Sequence, residues 1–138
     1  MNIKNILIPL DDSEKTFQSI NAVKSFFSSD SCVIYLLHIV DNYDVKSTDT
    51  SDSGVCTQLS KDILTKGHSL ISDYNVKEIS LMGSHSSVAT DILETITNKK
   101  IDLVVMTKTS KGFFDEVIIG SVTSGILKKS SVPVMVIP

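Results

Sequence analysis

The chain has 138 residues and a formal net charge of −3, with 41% hydrophobic and 21% charged residues. These values are typical of one ordinary domain with a full core, so we predict a single domain spanning 1–138. The acidic balance argues against nucleic acid as a partner, because binding its phosphates needs a basic face. No apolar run approaches the roughly 20 residues that cross a bilayer. Without a targeting segment, and with two distant cysteines at Cys32 and Cys56, we expect a cytoplasmic protein with reduced thiols and no membrane partner.

The first strand and helix are predicted from the residues up to position 27. Ile6–Leu10 is a short continuous apolar run, typical of a central strand covered on both faces. Pro9 cannot donate a ladder hydrogen bond, so we expect it near the end of that strand. Asp12 or Ser13 then caps a helix whose apolar residues recur at helical spacing. These residues are Phe17, Ile20, Ala22, Val23, Phe26 and Phe27.

The middle of the chain predicts a second strand at Val33–Val40, followed by a polar surface loop at 41–54. Apolar residues at helical spacing then indicate a second helix, which Gly67 weakens. They are Leu59, Ile63, Leu70, Ile71 and Tyr74. His38 lies within the second strand, so we interpret it as a packed, hydrogen-bonded residue rather than a ligand or a base.

The remaining elements continue the alternation of strand and helix. We predict strands at Val76–Met82, Asp102–Met106 and Val132–Pro138, and helices from Ser86 or Ser87 and over Ser121–Lys129. This alternation predicts a doubly wound α/β fold, a mostly parallel sheet with helices on both faces. Ligands of such sheets bind beyond the carboxyl ends of the strands.

The last strand combines a proline with a strongly apolar sequence. Pro133 favours a place at the edge of the sheet, whereas an apolar edge needs a cover. Antiparallel pairing of Val132–Ile137 with a second copy would provide that cover, so we predict a homodimer. The alternative is a monomer whose edge is covered by a helix or a loop.

The most informative segment runs from Met106 to Thr123. An apolar strand ends in a polar loop, and Gly120–Ser121 then opens a helix. Helix N-termini leave backbone N–H groups unpaired and carry partial positive charge, so this arrangement suits a phosphate. The loop, however, holds Thr and Ser where a phosphate loop usually has Gly.

The chain resembles the universal stress protein family over essentially its whole length. The resemblance rests on segments whose order and spacing are specific together: Ile6–Ser13, Leu37–Val40, Val88–Ile92, Asp102–Met106, Gly120–Thr123 and Ser131–Ile137. It implies a five-stranded parallel sheet in the order 3-2-1-4-5, of the adenine nucleotide alpha hydrolase-like fold, and a dimer through the last strand. One branch of the family binds ATP or a related adenine nucleotide and carries Gly-x2-Gly-x9-Gly-Ser/Thr. Gly120-Ser121 matches the end of that pattern, while Thr107 and Ser110 replace the earlier glycines and Gly112 is off register.

The resemblance also implies roles for individual residues. Asp11 would contact the ribose or the adenine, and Pro9, Leu10 and Val40 would frame the base. Gly120, Ser121, Val122 and Thr123 would hold phosphates, with Met106, Thr107 and Ser110 completing the nucleotide-binding set. Asp11 is equally interpreted as a cap or turn residue, and Val40 and Met106 as core residues. Thr107 tolerates positive φ poorly, whereas the Ser110 hydroxyl could itself donate to a phosphate.

Three functions are compatible with these residues. The first is a regulatory module that binds ATP or AMP, with Mg²⁺ if the ligand is ATP. The second, which the lost glycines favour, is a stress-response dimer with a degenerate site and weak or no ATP binding. The third is a slow ATPase. We expect no metal site, because Cys32 and Cys56 do not have metal-ligand spacing. We also expect no catalytic residues, because the sequence offers no convincing general base near the predicted phosphate site.

Overall fold

The computed structural model describes residues 2–40, 50–83, 87–108 and 120–138, with the backbone alone for 50–57. The strands are β1 (Asn5–Leu10), β2 (Val33–Val40), β3 (Asn75–Met82), β4 (Leu103–Thr107) and β5 (Val134–Ile137). The helices are α1 (Gln18–Phe26), preceded by a 3-10 turn at Glu14–Phe17, then α2 (Thr50–Leu70), α3 (Val88–Asn98) and α4 (Ser121–Lys129).

The five strands form one parallel sheet in the order β3-β2-β1-β4-β5. The predicted doubly wound fold and its strand order are therefore confirmed. β1 lies at the centre, and β3 and β5 form the two edges. The edge position predicted for the last strand is also confirmed.

Alternate residues of β1 supply two separate hydrophobic cores. Ile6, Ile8 and Leu10 pack with residues of α1 and α2 on one face. Leu7 packs with residues of α3 and α4 on the other face. Because a strand residue and its neighbour point to opposite faces, a continuous apolar run is needed to serve both cores.

Two glycines permit close packing that a side chain would obstruct. A Cβ at Gly67 of α2 would lie 2.9 Å from Cδ1 of Leu10 in β1. A Cβ at Gly125 of α4 would lie 2.9 Å from the Cβ of Ala89 in α3. Gly67 therefore serves packing, and its cost in helix propensity is offset by the approach of α2 to the sheet.

Several local predictions are wrong. Residues 50–54 belong to α2 rather than to the predicted loop, because Ser, Thr and Asp also suit the first turn of a helix. Residues 41–49 of that loop lie outside the described part. Phe26, predicted in the apolar stripe of α1, is 67% exposed, since it ends the helix while Phe27 turns inward. The third strand begins at Asn75 and the fourth at Leu103, one residue from each predicted start, and the fifth covers Val134–Ile137 rather than Val132–Pro138.

At the amino end of the sheet, backbone N–H and C=O groups form hydrogen bonds with other groups of the chain. Oδ2 of Asp102 accepts the backbone N–H groups of Lys4 and Asn5, at 3.0 and 2.9 Å. α3 ends in a Schellman motif, in which Lys100 donates to the Thr97 carbonyl at 3.3 Å and Ile101 to the Ile96 carbonyl at 3.0 Å. Lys100 has a φ of 53° there, in the left-handed region that favours glycine.

Candidate functional site

The candidate site lies at the carboxyl end of the sheet, between β1 and β4. The chain leaves β1 toward β2 on one side and later returns to β4 on the other, so the winding reverses at this point. Such a reversal is where open parallel sheets bind ligands. Leu10, Val40 and Thr107 end β1, β2 and β4, and the three strands are neighbours. The topology therefore brings these three predicted site residues to one end of the sheet.

The strand residues of the predicted site form a buried floor. Leu10, Val40, Met106 and Thr107 are at most 6% exposed. Thr107 pairs with Ile137 of β5. The φ angle of Thr107 is not positive, because Lys100 is the one non-glycine residue with a positive φ in the described ranges. The Thr side chain at position 107 is therefore unstrained, because it continues a strand. Ser110 and Gly112 lie outside the described residues.

Asp11 is held in a turn directly after β1. Its Oδ1 accepts two hydrogen bonds from Ser13, one from the backbone N–H at 2.8 Å and one from Oγ at 2.5 Å. The backbone N–H of Asp11 donates to Oγ1 of Thr16 at 2.9 Å, and Thr16 is 1% exposed. The alternative role of Asp11 as a turn residue is thus realised, and the turn fixes the direction of its carboxylate.

The first turn of α4 has the features of an anion site. Gly120 is the N-cap and supplies no side-chain hydrogen bond to the helix, so the first N–H groups keep their capacity to donate. Ser121 is exposed and Val122 is half-buried. Thr123 is fully buried, and Oγ1 of this residue has no hydrogen-bond partner within the described part of the chain.

A buried hydroxyl that finds no partner in the described ranges is unusual enough to need an explanation. Leaving such a group without a partner costs about 1–3 kcal/mol. A phosphate oxygen at the start of α4 would be a suitable acceptor, since α4 follows β4 and must begin at the carboxyl end of the sheet to lead into parallel β5.

Sequence reasoning missed some polar residues and anticipated another. Thr16 and Ser19, both buried, support the turn after β1, with Oγ of Ser19 donating to the Thr16 carbonyl at 2.7 Å. Hydroxyl residues near a helix start gave only a capping signal. His38 is packed and hydrogen-bonded as predicted, with Nδ1 2.8 Å from Oγ of Ser60, which is itself 2.8 Å from Oγ of Ser80. β1 lies between β2, which contains His38, and β4, which precedes α4.

No group of three or more His, Cys, Asp or Glu residues that could hold a metal ion occurs in the described part of the chain. Among the helices described, none is long and apolar enough to cross a membrane.

A sequence model of the universal stress protein family matches residues 2–138. The chain belongs to this family. Its sequence is 24% identical to universal stress protein MJ0577 of Methanocaldococcus jannaschii, over 97% of this chain and 94% of that protein. The solved structure of MJ0577 matches with a TM-score of 0.81 at 27% identity, covering 99% of this chain and 96% of that chain. Universal stress protein UspA from Lactobacillus plantarum matches at 0.76 and 20% identity, covering 100% and 99%.

Several more distant members of this universal stress protein family were solved with a mononucleotide. One was solved with cAMP, one from Archaeoglobus fulgidus with dAMP, and one from Arabidopsis thaliana with AMP. Their TM-scores are 0.75, 0.69 and 0.65, and their identities are 11%, 16% and 14%. They cover 100%, 100% and 97% of this chain, and 99%, 100% and 90% of their own. At these identities the likeness shows a common fold.

Proposed function

We propose that this universal stress protein is a regulatory module that binds an adenine mononucleotide, and that it binds AMP more tightly than ATP. The observation that carries the proposal is the uncapped first turn of α4 with the buried hydroxyl of Thr123, which has no hydrogen-bond partner among the described residues. The relatives solved with AMP, dAMP and cAMP support the same class of ligand.

The base and the ribose would lie over the carboxyl ends of β1 and β2. Pro9, Leu10 and Val40 would frame the base, and the oriented carboxylate of Asp11 would accept a hydrogen bond from the ribose or the adenine amino group. Ser121 and the backbone N–H groups that follow Gly120 would bind one phosphate at the positive end of the helix dipole.

The preference for one phosphate over three follows from the positions of the lost glycines. A glycine at position 107 or 110 would let a phosphate approach the backbone without meeting a Cβ. Thr107 instead continues β4 and is 3% exposed, so it contributes no open loop backbone. The α4 turn remains, and one helix N-terminus suits a single phosphate group.

We further propose that nucleotide binding is regulatory rather than catalytic. Asp11 already accepts two hydrogen bonds from Ser13, so it is poorly placed to act as a general base toward water. If ATP does bind, Mg²⁺ would depend mainly on the phosphate oxygens for its ligands. ADP release no faster than from Ser121→Ala is the expected result, and clearly faster release would contradict the regulatory role.

Thermal unfolding with added nucleotides tests the proposed ligand. A ligand that binds the native state adds RT ln(1 + [L]/Kd), about 2.7 kcal/mol at a hundredfold excess over Kd. We expect AMP to raise the Tm more than ATP at equal concentration, and inorganic phosphate to raise it least. A Tm that neither AMP nor ATP moves, together with no nucleotide released on denaturation, would refute the proposal.

Self-association through β5 is a second candidate role, supported by a difference between the two edges of the sheet. β3 carries Lys77, whose ammonium group lies over the ring of Tyr35, and Glu78, which pairs with His68. Charged residues on an edge strand discourage pairing with the edge of another sheet. Val134–Ile137 carries no charge, and its residues are only half-buried. An uncharged apolar edge of this kind suits pairing with a second copy.

The carbonyl of Pro133 accepts a hydrogen bond from the N–H of Val104 in β4 at 3.0 Å. The carbonyl of Ile137 accepts one from the N–H of Lys108, which follows β4, at 2.8 Å. By alternation, Val134 and Val136 direct their N–H and C=O groups outward. Val136→Pro therefore removes one outward donor and leaves the β4 ladder intact. We expect a dimer for the wild type and a monomer for this variant in sedimentation velocity. A monomeric wild type, or a dimeric variant, would contradict this role.

A further inference from the structure

The central strand of the sheet contains a proline, which the interior of a sheet ordinarily excludes. Pro9 is the penultimate residue of β1, which pairs with β2 on one side and β4 on the other. A proline inside a sheet removes one ladder hydrogen bond. The side on which that bond is missing decides the consequence.

Neighbouring hydrogen bonds locate the missing donor. The carbonyl of Lys4 accepts from Val33, the first residue of β2, and the carbonyl of Asn5 accepts from Asp102, next to β4. Backbone groups of successive strand residues point to opposite neighbours, so Asn5, Leu7 and Pro9 face β4. The β1–β2 ladder agrees, because it continues without a break through Pro9↔Leu37 and Leu10↔His38.

The ladder between β1 and β4 ends where this donor is missing. Its last pair is Leu7↔Val104, and the next regular bond would run from the N–H of residue 9 to the carbonyl of Val105. β4 itself continues to Thr107, which still pairs with β5. Past Leu7 and Val104, the carboxyl ends of β1 and β4 are therefore not joined by the ladder.

We propose that Pro9 is a positioning residue of the nucleotide cleft, because it withholds the hydrogen bond that would join the carboxyl ends of β1 and β4. The two ends, Ile8–Leu10 and Val105–Thr107, can then part slightly when the nucleotide binds across them, with its base over β1 and β2 and its phosphate at the start of α4. This inference rests on the proposed function, although the ladder part can be tested without any nucleotide.

Pro9→Ala supplies the missing donor and tests the inference. We expect the new backbone amide at position 9 to exchange about a hundredfold more slowly than in an unstructured peptide. The affinity for AMP should fall about fivefold, the effect of one typical hydrogen bond that has to be broken on binding. A semisynthetic chain with lactic acid at position 9, which has an ester and no N–H, should restore the affinity. A position-9 amide that exchanges freely in Pro9→Ala would overturn the inference, as would a lactate chain that binds as weakly as Pro9→Ala.

Pro133→Ala is the matched control, because the carbonyl of Pro133 also faces β4, but at the amino end of the sheet. It should leave the AMP affinity within about twofold of the wild type, and an equal loss in both variants would overturn the inference. If the wild type binds no AMP, the proposed function fails, and a protected position-9 amide in Pro9→Ala still identifies Pro9 as the residue that ends the ladder.

Discussion

The two ends of the sheet differ in how fully their polar groups find partners among the described residues. At the amino end, the Asp102 carboxylate accepts the N–H groups of Lys4 and Asn5, and α3 closes in a Schellman motif. At the carboxyl end, Pro9 offers no donor, Gly120 supplies no side-chain cap, and the Thr123 hydroxyl has no partner among the described residues.

Because of this difference, we expect the amino end to contribute mainly to the stability of the fold and the carboxyl end mainly to ligand binding. A backbone donor or hydroxyl that is satisfied within the chain contributes to folding and has nothing left for a ligand, whereas one without a partner costs stability until a ligand pairs with it. Substitutions at the amino end should therefore change the free energy of unfolding and spare AMP binding. Substitutions at the carboxyl end should do the reverse.

The largest effect is expected at the amino end. Asp102→Ala leaves two strand N–H groups without their charged acceptor, and we expect the free energy of unfolding to fall by about 2 kcal/mol. Urea unfolding measures this loss, and the Kd for AMP should stay unchanged. Asp30→Ala is the control, because that exposed aspartate accepts one bond from Ser28 in a surface turn. Equal losses in the two variants would contradict the stabilising role assigned to Asp102.

Thr123 gives the strongest test at the carboxyl end. Thr123→Val keeps the shape and removes the hydroxyl, so stability should be unchanged or slightly higher. Calorimetric titration should show AMP binding weakened about tenfold, the loss of a hydrogen bond to a charged group. Thr123→Ser keeps the hydroxyl and should retain most of the affinity. If the Thr123→Val variant binds AMP as well as the wild type, the hydroxyl is only a packing feature.

The turn that orients Asp11 is expected to have a smaller effect. Ser13→Ala removes the Oγ donor to the Asp11 carboxylate and should weaken AMP binding about threefold to fivefold, as measured by the same titration. Ser13→Thr retains the hydroxyl and should bind like the wild type. Ser130→Ala removes a similar hydroxyl turn after α4 and serves as the control. An equal loss of affinity in Ser130→Ala would show that the effect is general to the fold.

The smallest change should be a gain in stability at the amino end. Lys100 occupies the left-handed position of the Schellman motif with a φ of 53°, where glycine has no Cβ strain. Lys100→Gly should raise the free energy of unfolding by about 0.5–1 kcal/mol, and Lys100→Asn by less. Chemical unfolding provides the measurement, and a loss of stability in Lys100→Gly would contradict the assigned strain.

The fold was largely predictable because its signals are local and repeated. Continuous apolar runs such as Ile6–Leu10 identified the strands, and Ser87 was a correct helix cap, with Oγ accepting the Thr90 N–H at 3.2 Å. The role of Gly67 was not predictable, because its sequence signal is unfavourable for a helix and the reason lies in Leu10 of a different element.

The site was predictable in position but not in its chemistry. Parallel strands necessarily bring Asp11, Val40 and Thr107 to one end of the sheet. Positive φ at Thr107 could be neither inferred nor excluded from sequence, since it depends on the length of β4. The support of Asp11 by Thr16 depends on distances in the folded chain, and so does the lack of a partner for the Thr123 hydroxyl within the part of the chain that the structure describes. A single sequence does not contain such distances.

The most direct test of the central claim is an AMP titration followed by the backbone amide shifts of the wild-type protein. We expect saturable shifts at the carboxyl end, at Leu10, Asp11 and Ser121–Thr123, with a lower Kd for AMP than for ATP. The amino-end amides of Asn5 and Lys100–Asp102 should remain unmoved. Shifts confined to the amino end, no saturable shifts, or tighter binding of ATP would contradict the account.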